Sequence, residues 1–443
     1  MNKQKWMTLL KTTLAASVTL PVLATQTAVF AEEDTSNGVG EIDAESALLL
    51  DFETGQILYN QNADEQKGIA SMTKMLVEYI LFEEIEAGNI SWDTEVTISD
   101  YAHAISQNYA LSNVPLRLGE TYTVEELYEA LAIYSANGAT IALAEEMEGS
   151  EHAFVDRMRE LVESWGIEEY ELYNTTGLNN SFLLDNHYPG SDSEDENTMS
   201  AKGIATVSKH LLKDYPQVLE TSSIPTKVFR EGTSDAISMM NWNWMLEGLS
   251  HARPGVDGLK TGTTQFAGAT FTGTAESDGQ RLISVVMGAG DGMADKGQRF
   301  VETSKLLDYG FNDWDFQTII EADMVLEEES LPVRNGLTEE VALKTTDELS
   351  CYLPNGTDLD SISYTFEASE ELLDQNGQIE APIAEGDVVG ELIIEGDETI
   401  EFLEGESAEA IQVVAAESVE RAGFVTILTT WLKDFFSSLS SRF

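Results

Sequence analysis

The tetrad Ser71-Met72-Thr73-Lys74 runs directly into Met75, Leu76, Tyr79, Ile80 and Phe82. This spacing predicts a helix over 71–85 with the large apolar residues on one side. Residues three apart on a helix point the same way, so the Ser71 hydroxyl and the Lys74 amine can share a face. A serine hydroxyl is a weak nucleophile until a base takes its proton, and a desolvated, neutral lysine can be that base. The alternative is a solvated serine and lysine on an ordinary helix, since a chain of this length holds roughly one such spacing by chance. The tetrad needs partners.

Two further segments supply them. Thr123 and Glu126 form a capping box ahead of a helix over 124–134, which stops at Ser135-Ala136-Asn137-Gly138. Side chains at that stop can project into a cleft. A hydroxyl there can relay a proton, and a carboxamide can hold a substrate amide. N-capping of the next helix, 139–147, is the competing reading. Lys260-Thr261-Gly262-Thr263 ends a strand that begins at Val256. Its cation and hydroxyls can dock a carboxylate, and its glycine can let substrate lie along the strand edge; an ordinary strand end is the competitor. The segment lacks Gly-Lys-Ser/Thr, which excludes a Walker A loop, and Gly288-Ala289-Gly290-Asp291-Gly292 is out of register for a dinucleotide fingerprint. The five histidines show no metal-ligand spacing, and no cofactor is implied.

The 443-residue chain carries a formal charge of -55, which disfavours nucleic acid and other polyanions. An anionic substrate therefore requires a local basic cluster, and Lys260 is the expected second charge beside Lys74. Lys3 and Lys5, the apolar run from Leu9 to Leu23 and Val29-Phe30-Ala31 read as a signal peptide over 1–31. Such a segment predicts export across the cytoplasmic membrane. Residues 32–43 read as a flexible start to the mature protein. The lone Cys351 excludes an internal disulfide and reads as a packed side chain.

Strand patterns at 47–52 and 56–59 come first, then helices including 150–165 and 200–212. Strands at 256–261, 269–274 and 282–287 and a helix over 297–309 follow. Residues 179–198 read as a polar loop. This order predicts an α+β domain over 44–315, an antiparallel sheet built from both ends of the segment and flanked by helices. Residues 316–416 are acidic, with short strand-like runs and turns at Asn355-Gly356, Asn376-Gly377 and Gly386, as in a small all-β domain. In the tail, 417–443, Phe424, Val425, Leu428, Trp431, Leu432, Phe435 and Phe436 gather on one half of a helical wheel. Such a helix suits the membrane interface better than a span; packing on the β domain or a partner subunit is the alternative.

The set Ser-X-X-Lys, Ser-X-Asn and Lys-Thr-Gly, in this order, resembles that of penicillin-binding proteins and class A β-lactamases. The chain is most similar to low-molecular-mass penicillin-binding proteins that act as serine D-alanyl-D-alanine carboxypeptidases. Leu50-Asp51, Thr54-Gly55-Gln56-Ile57-Leu58, Asn174-Thr175-Thr176-Gly177-Leu178 and Gly255 to Gly262 carry the likeness. So do Ala381-Pro382-Ile383 and Gly386-Asp387-Val388-Val389-Gly390. The resemblance implies that Ser71 attacks the carbonyl between two terminal D-alanines of a peptidoglycan stem peptide and is likewise acylated by β-lactams. Lys74 would be the base and Ser135 the relay to the leaving amine. Asn137 would orient substrate, and Lys260, Thr261, Gly262 and Thr263 would hold the terminal carboxylate. The N–H groups of Ser71 and Thr263 would form the oxyanion hole. Arg299 stands about one residue off the spacing of a family arginine that helps bind carboxylate, and a surface arginine is an equal reading. His187 and the acidic run beside it belong to a loop that either borders the site or is simply solvated. A β-lactamase of class A would use Glu-X-X-Leu-Asn, which is absent. A transpeptidase differs only in its acceptor, and a non-catalytic wall-binding protein would not need the complete set.

Overall fold

The computed structural model describes residues 38–359, 362–394, 400–403, 410–429 and 432. The expected signal peptide and most of the residues after 429 lie outside that range.

The first hairpin joins β1 (Ser46–Asp51) to β2 (Gln56–Gln61). Its turn is held by Asp51, whose Oδ1 accepts from the Thr54 amide and hydroxyl at 2.9 and 2.8 Å. Alternation along β1 sends Leu48 and Leu50 into one core and Ala47 and Leu49 into another, so both faces of the sheet are covered. The first core lies under helices α1 (Lys74–Glu86), α2 (Asp100–Ser106), α3 (Val124–Tyr134), α4 (Asn137–Glu148), α5 (Glu151–Ser164) and α6 (Ala201–Asp214). The meander β3 (Val256–Thr264), β4 (Gly268–Ser277) and β5 (Gln280–Met287) follows, with α7 (Gln298–Asn312) on the other face.

β1 pairs antiparallel with β5, from Ser46 opposite Met287 to Asp51 opposite Leu282. The sheet is thus built from both ends of the segment, an α+β arrangement with β3 at one edge. The capping box is present: the Glu126 amide donates to Thr123 Oγ1, and the Thr123 amide donates to the Glu126 carboxylate, both at 3.1 Å. Ser150 caps α5 by accepting from the Ala153 amide. α1 differs from its expected one-sided pattern. Lys74 through Glu78 and Ile80 through Phe82 are all buried, because this helix is central and packs against α4, α5 and α6.

After α7, β6 (Trp314–Ile320) pairs with β9 (Leu349–Pro354), while β7 (Val325–Arg334), β8 (Glu340–Thr345), β10 (Tyr364–Ala368), β11 (Val388–Ile394) and β13 (Ile411–Ala415) share another sheet. Val341, Leu343, Val389, Leu392 and Val413 build its own core. Strand β7 is not legible in the sequence, because Glu327, Glu328 and Glu329 interrupt its alternation; β9 and β10 also lie outside the runs that read as strand-like. Gly356, Gly377 and Gly386 have φ of 85°, 73° and 88°, as their turns require.

β12 (Glu401–Phe402) leaves this β-rich region and pairs with the free edge of β2. Leu403 is buried in the core beneath the helices, and Glu401 pairs with Lys202 at 2.6 Å. The Gln56 side chain also exchanges hydrogen bonds of 2.8 Å with the backbone of Tyr352 in β9. At the other end, the expected flexible start is already held at Ile42, which is fully buried and donates its amide to Gln61 Oε1. The tail enters a helix at Phe424 with Phe424, Val425, Leu428 and Leu432 exposed.

Candidate active site

Ser71 does not lie in α1 itself. Residues Ala70–Thr73 form a 3₁₀ turn that leads into it, and Ala70 has φ of 45°. Two glycines make room for this turn. A Cβ on Gly177 would lie 1.8 Å from the Ala70 carbonyl oxygen, and Gly177 has φ of 72°. A Cβ on Gly262 would lie 2.4 Å from Thr270 Oγ1 and 2.8 Å from the Ile69 carbonyl oxygen. Gly262 therefore lets β3 back onto the turn that carries Ser71, which is an internal packing need rather than room for substrate.

Lys74 is fully buried, and its Nζ has three partners: Ser71 Oγ at 2.9 Å, Asn137 Oδ1 at 2.9 Å and the Thr176 carbonyl at 2.7 Å. Thr176 is held by Asn174, whose Oδ1 accepts from the Thr176 amide and hydroxyl and from the Gly177 amide. The sequence carried the Asn-Thr-Thr-Gly string but no sign that its carbonyl would grip the lysine; its one local signal is a turn glycine. Asn137 is pinned as well, with its Nδ2 donating to the Ser112 carbonyl at 3.0 Å. It links Lys74 to the loop after α2, beyond any part in orienting substrate.

Ser135 ends α3 with φ of 56°, a left-handed conformation costly for a residue with a side chain. The capping alternative fails. The N-cap of α4 is Ala136, and Ser135 Oγ instead accepts from Lys260 Nζ at 3.0 Å. Lys260 to Thr263 lie inside β3, which continues to Thr264, so the motif sits along an edge strand rather than at its end. Arg299 is 1 % exposed and is no surface arginine. Its Nη1 donates to the Gly262 carbonyl at 2.7 Å, Thr263 Oγ1 at 3.0 Å and the Thr270 carbonyl at 3.1 Å, bracing β3 from behind.

Burial pushes the Lys74 amine well below the usual lysine value, and the nearby Lys260 charge pushes it further, against the pull of Glu78 and Glu151. Burial also lowers Lys260 to about 8, opposed by Glu78 and assisted by Arg299. Glu78 is pushed up to about 7 by burial, although Lys260 and Lys74 both favour its charge. Burial lowers Arg299 to about 10. Glu78 is a site neighbour that no sequence motif marks. Its signal was the i+4 spacing from Lys74 on a buried helix.

A cleft of about 350 Å³ opens onto this cluster, lined by Ser71, Ser135, Asn137, Thr261, Thr263 and Arg299. Tyr109, Tyr134 and Trp242 also line it, with Trp242 donating to Ser112 Oγ at 2.9 Å. The loop over 179–198 reaches β3 through Glu196, which accepts from the Thr264 hydroxyl and so is not simply solvated. His187 is half-buried and is not among the cleft residues. Cys351 is buried in β9, away from the cluster.

The cluster has what acyl transfer to a serine requires: a hydroxyl against a desolvated amine, a second hydroxyl against a second lysine, and an edge strand beside both. A family model described as D-alanyl-D-alanine carboxypeptidase matches residues 30–291. The chain is 28% identical to D-alanyl-D-alanine carboxypeptidase DacF of Bacillus subtilis, over 89% of this chain and 90% of that protein. It is 31% identical to DacA of Escherichia coli strain K12, over 90% and 89%. Among solved structures it is similar to a peptidoglycan synthesis regulatory factor, PBP3, of Streptococcus pneumoniae, with 37% identity and a TM-score of 0.66, covering 86% of this chain and 100% of that one. Penicillin-binding protein D2 of Listeria monocytogenes in its ampicillin-bound form aligns at 29% identity and a TM-score of 0.50, covering 61% of this chain and 98% of that one.

Proposed function

This chain belongs to the D-alanyl-D-alanine carboxypeptidase family, and on that premise we propose that Ser71 is its acylated nucleophile and Lys74 the base. The protein is a serine carboxypeptidase that removes the terminal D-alanine from peptidoglycan stem peptides. The contact of 2.9 Å between Ser71 Oγ and the buried Lys74 Nζ carries the assignment.

Burial favours the neutral form of Lys74, and the bonding around it accommodates that form. The carbonyl oxygens of Asn137 and Thr176 can only accept, so they take its two N–H groups. The lone pair is left for the Ser71 hydroxyl, which donates into it. Ser71 Oγ then attacks the penultimate D-alanine carbonyl while Lys74 takes the proton. The amides of Ser71 and Thr263 receive the oxyanion. As the tetrahedral intermediate collapses, the C–N bond breaks and the proton taken by Lys74 is returned through Ser135 to the departing amine, with Lys260 holding the Ser135 hydroxyl at 3.0 Å. Lys260, Thr261 and Thr263 hold the terminal carboxylate, and Arg299 supports Thr263 from behind. Water attacking the acyl-enzyme completes the cycle. A β-lactam, whose leaving amine stays tethered to the acyl group after ring opening, leaves Ser71 blocked.

Fluorescent penicillin is expected to label the wild-type protein covalently and to leave Ser71→Ala unlabelled, with the wild type also releasing D-alanine from a stem pentapeptide. Label retained by the alanine variant would overturn the assignment. Rapid release of hydrolysed penicillin would point to a β-lactamase, and labelling without D-alanine release to a transpeptidase or a binder.

Members of the family act on peptidoglycan, in the cell-wall space. Export by the N-terminal segment and attachment by the tail fit that setting. No helix among the described residues is long and apolar enough to cross a membrane. The exposed Phe424, Val425, Leu428 and Leu432 support interfacial binding instead. Deleting residues 418–443 is expected to move the protein from the membrane fraction to the soluble one; an unchanged distribution would refute the anchor.

A further inference from the structure

Asn197 stands near the end of the loop over 179–198, fully buried and not among the cleft residues. It precedes the short strand Thr198–Met199, the middle strand of a small sheet between Lys67–Gly68 and Tyr170–Glu171. The first neighbour leads into the turn that carries Ser71, and the second leads into the loop over 174–177. Placed between them, Asn197 bonds to both. Its backbone carbonyl accepts from the Ile69 amide at 3.1 Å, and its Nδ2 donates to Thr73 Oγ1 at 3.0 Å and to the Asn174 carbonyl at 2.8 Å. Its Oδ1 accepts from the Tyr173 amide at 2.7 Å and the Asn174 amide at 3.3 Å. The carboxamide thus uses both N–H groups and its oxygen. Glu151 holds the same loop from α5, accepting from the Thr175 amide and hydroxyl at 3.0 and 2.7 Å. Among the described residues, none of the Glu151 hydrogen bonds reaches the turn.

The spacing that this link sets matters for the proton of Ser71. The Thr176 carbonyl lies 2.7 Å from Lys74 Nζ and 3.4 Å from Ser71 Oγ. Good O–H···O bonds measure about 2.5–3.0 Å, so the carbonyl grips the lysine and competes only weakly for the serine hydroxyl. Lys74 Nζ, 2.9 Å from Ser71 Oγ, is the better-placed acceptor once neutral. A loop displaced towards the turn would offer Ser71 a carbonyl that cannot take its proton away. A loop displaced outward would release Lys74. We propose that Asn197 is a positioning residue for acylation: it ties the turn of the nucleophile to the loop over 174–177 and holds the Thr176 carbonyl where it orients Lys74 without capturing the Ser71 hydroxyl. This role deepens the reading of Ser71 as nucleophile and Lys74 as base, and rests on it.

The test follows covalent labelling by fluorescent penicillin over a range of concentrations, which separates the limiting acylation rate from the half-saturating concentration. Full-length wild type is compared with Asn197→Ala, Thr73→Val and the double variant. Asn197→Ala is expected to lower the limiting rate about tenfold or more, as misplacement of a reacting pair does. Half-saturation should stay within about threefold of wild type, because Asn197 does not line the cleft. Thr73→Val keeps the shape of the side chain and removes only the acceptor of one Asn197 bond, so a folded variant is available even where the alanine change disrupts the core. Its limiting rate is expected to fall about threefold or more. In the double variant the two losses should fall short of additive, since both cut the same link. A limiting rate within about twofold of wild type in either folded variant would overturn the inference. So would fully additive losses, or a loss confined to the fraction of molecules that label while the rest react at the wild-type rate, which a purely structural role produces. A wild type that never labels would instead overturn the assignment of Ser71 and Lys74.

Discussion

Replacing Lys74 by methionine is expected to slow acylation by penicillin about a thousandfold or more, within the range lost when a positioned base is removed. The Nζ atom is the group placed to take the Ser71 proton, at 2.9 Å in a fully buried setting. Methionine matches the length of the chain and has no basic atom. Arginine would be a poor control because its guanidinium stays charged at every accessible pH. The fold should survive, since removing a buried amine relieves a desolvation cost, although the Thr176 carbonyl and Asn137 lose one partner each. Stopped-flow labelling measures the rate and thermal melting checks the fold. A well-folded variant acylated within tenfold of wild type would remove Lys74 from the role of base.

Gly177→Ala should do more damage than its single added methyl suggests. The new Cβ would stand 1.8 Å from the Ala70 carbonyl oxygen, and the neighbouring backbone has little freedom to retreat. Ala70 precedes the nucleophile and is itself held at φ of 45°. Gly177 also sits at φ of 72°, where any side chain adds strain. The loop must therefore move, carrying with it the Thr176 carbonyl that grips Lys74. We expect a loss of at least ~3 kcal/mol in unfolding free energy, placing it among the larger single-residue effects. Acylation should fall in parallel even where the fold persists. Urea titration with a penicillin-labelling assay on the same samples would measure both. A loss below ~1 kcal/mol with normal labelling would show that this close approach is not needed.

The two variants probe different kinds of information. Lys74 was legible from its distance to Ser71 along the chain, because helical spacing converts sequence separation into a shared face. Gly177 was visible as a turn residue, but what its missing side chain avoids lies on a segment more than a hundred positions earlier.

The same division runs through the molecule. Short-range physics made the capping box at Thr123 and Glu126, the helix that starts near residue 150 and the packed setting of Cys351 readable, since each depends on near neighbours or on composition. The ordered set of Ser71, Lys74, Ser135, Asn137 and Lys260 was readable as chemistry, and the order of strand and helix patterns was enough for the α+β class. The sequence could not tell whether Arg299 was a surface residue, because the strand and helix that enclose it are far apart in the chain. Nor could it place Glu401 and Phe402 on the edge of β2, or bring Glu78 within the field of Lys260. Those outcomes depend on packing between distant segments, where close approach and desolvation set the result and no local pattern records it. Sequence named the reacting groups; tertiary structure set the bonding and charge in which Ser71 and Lys74 meet.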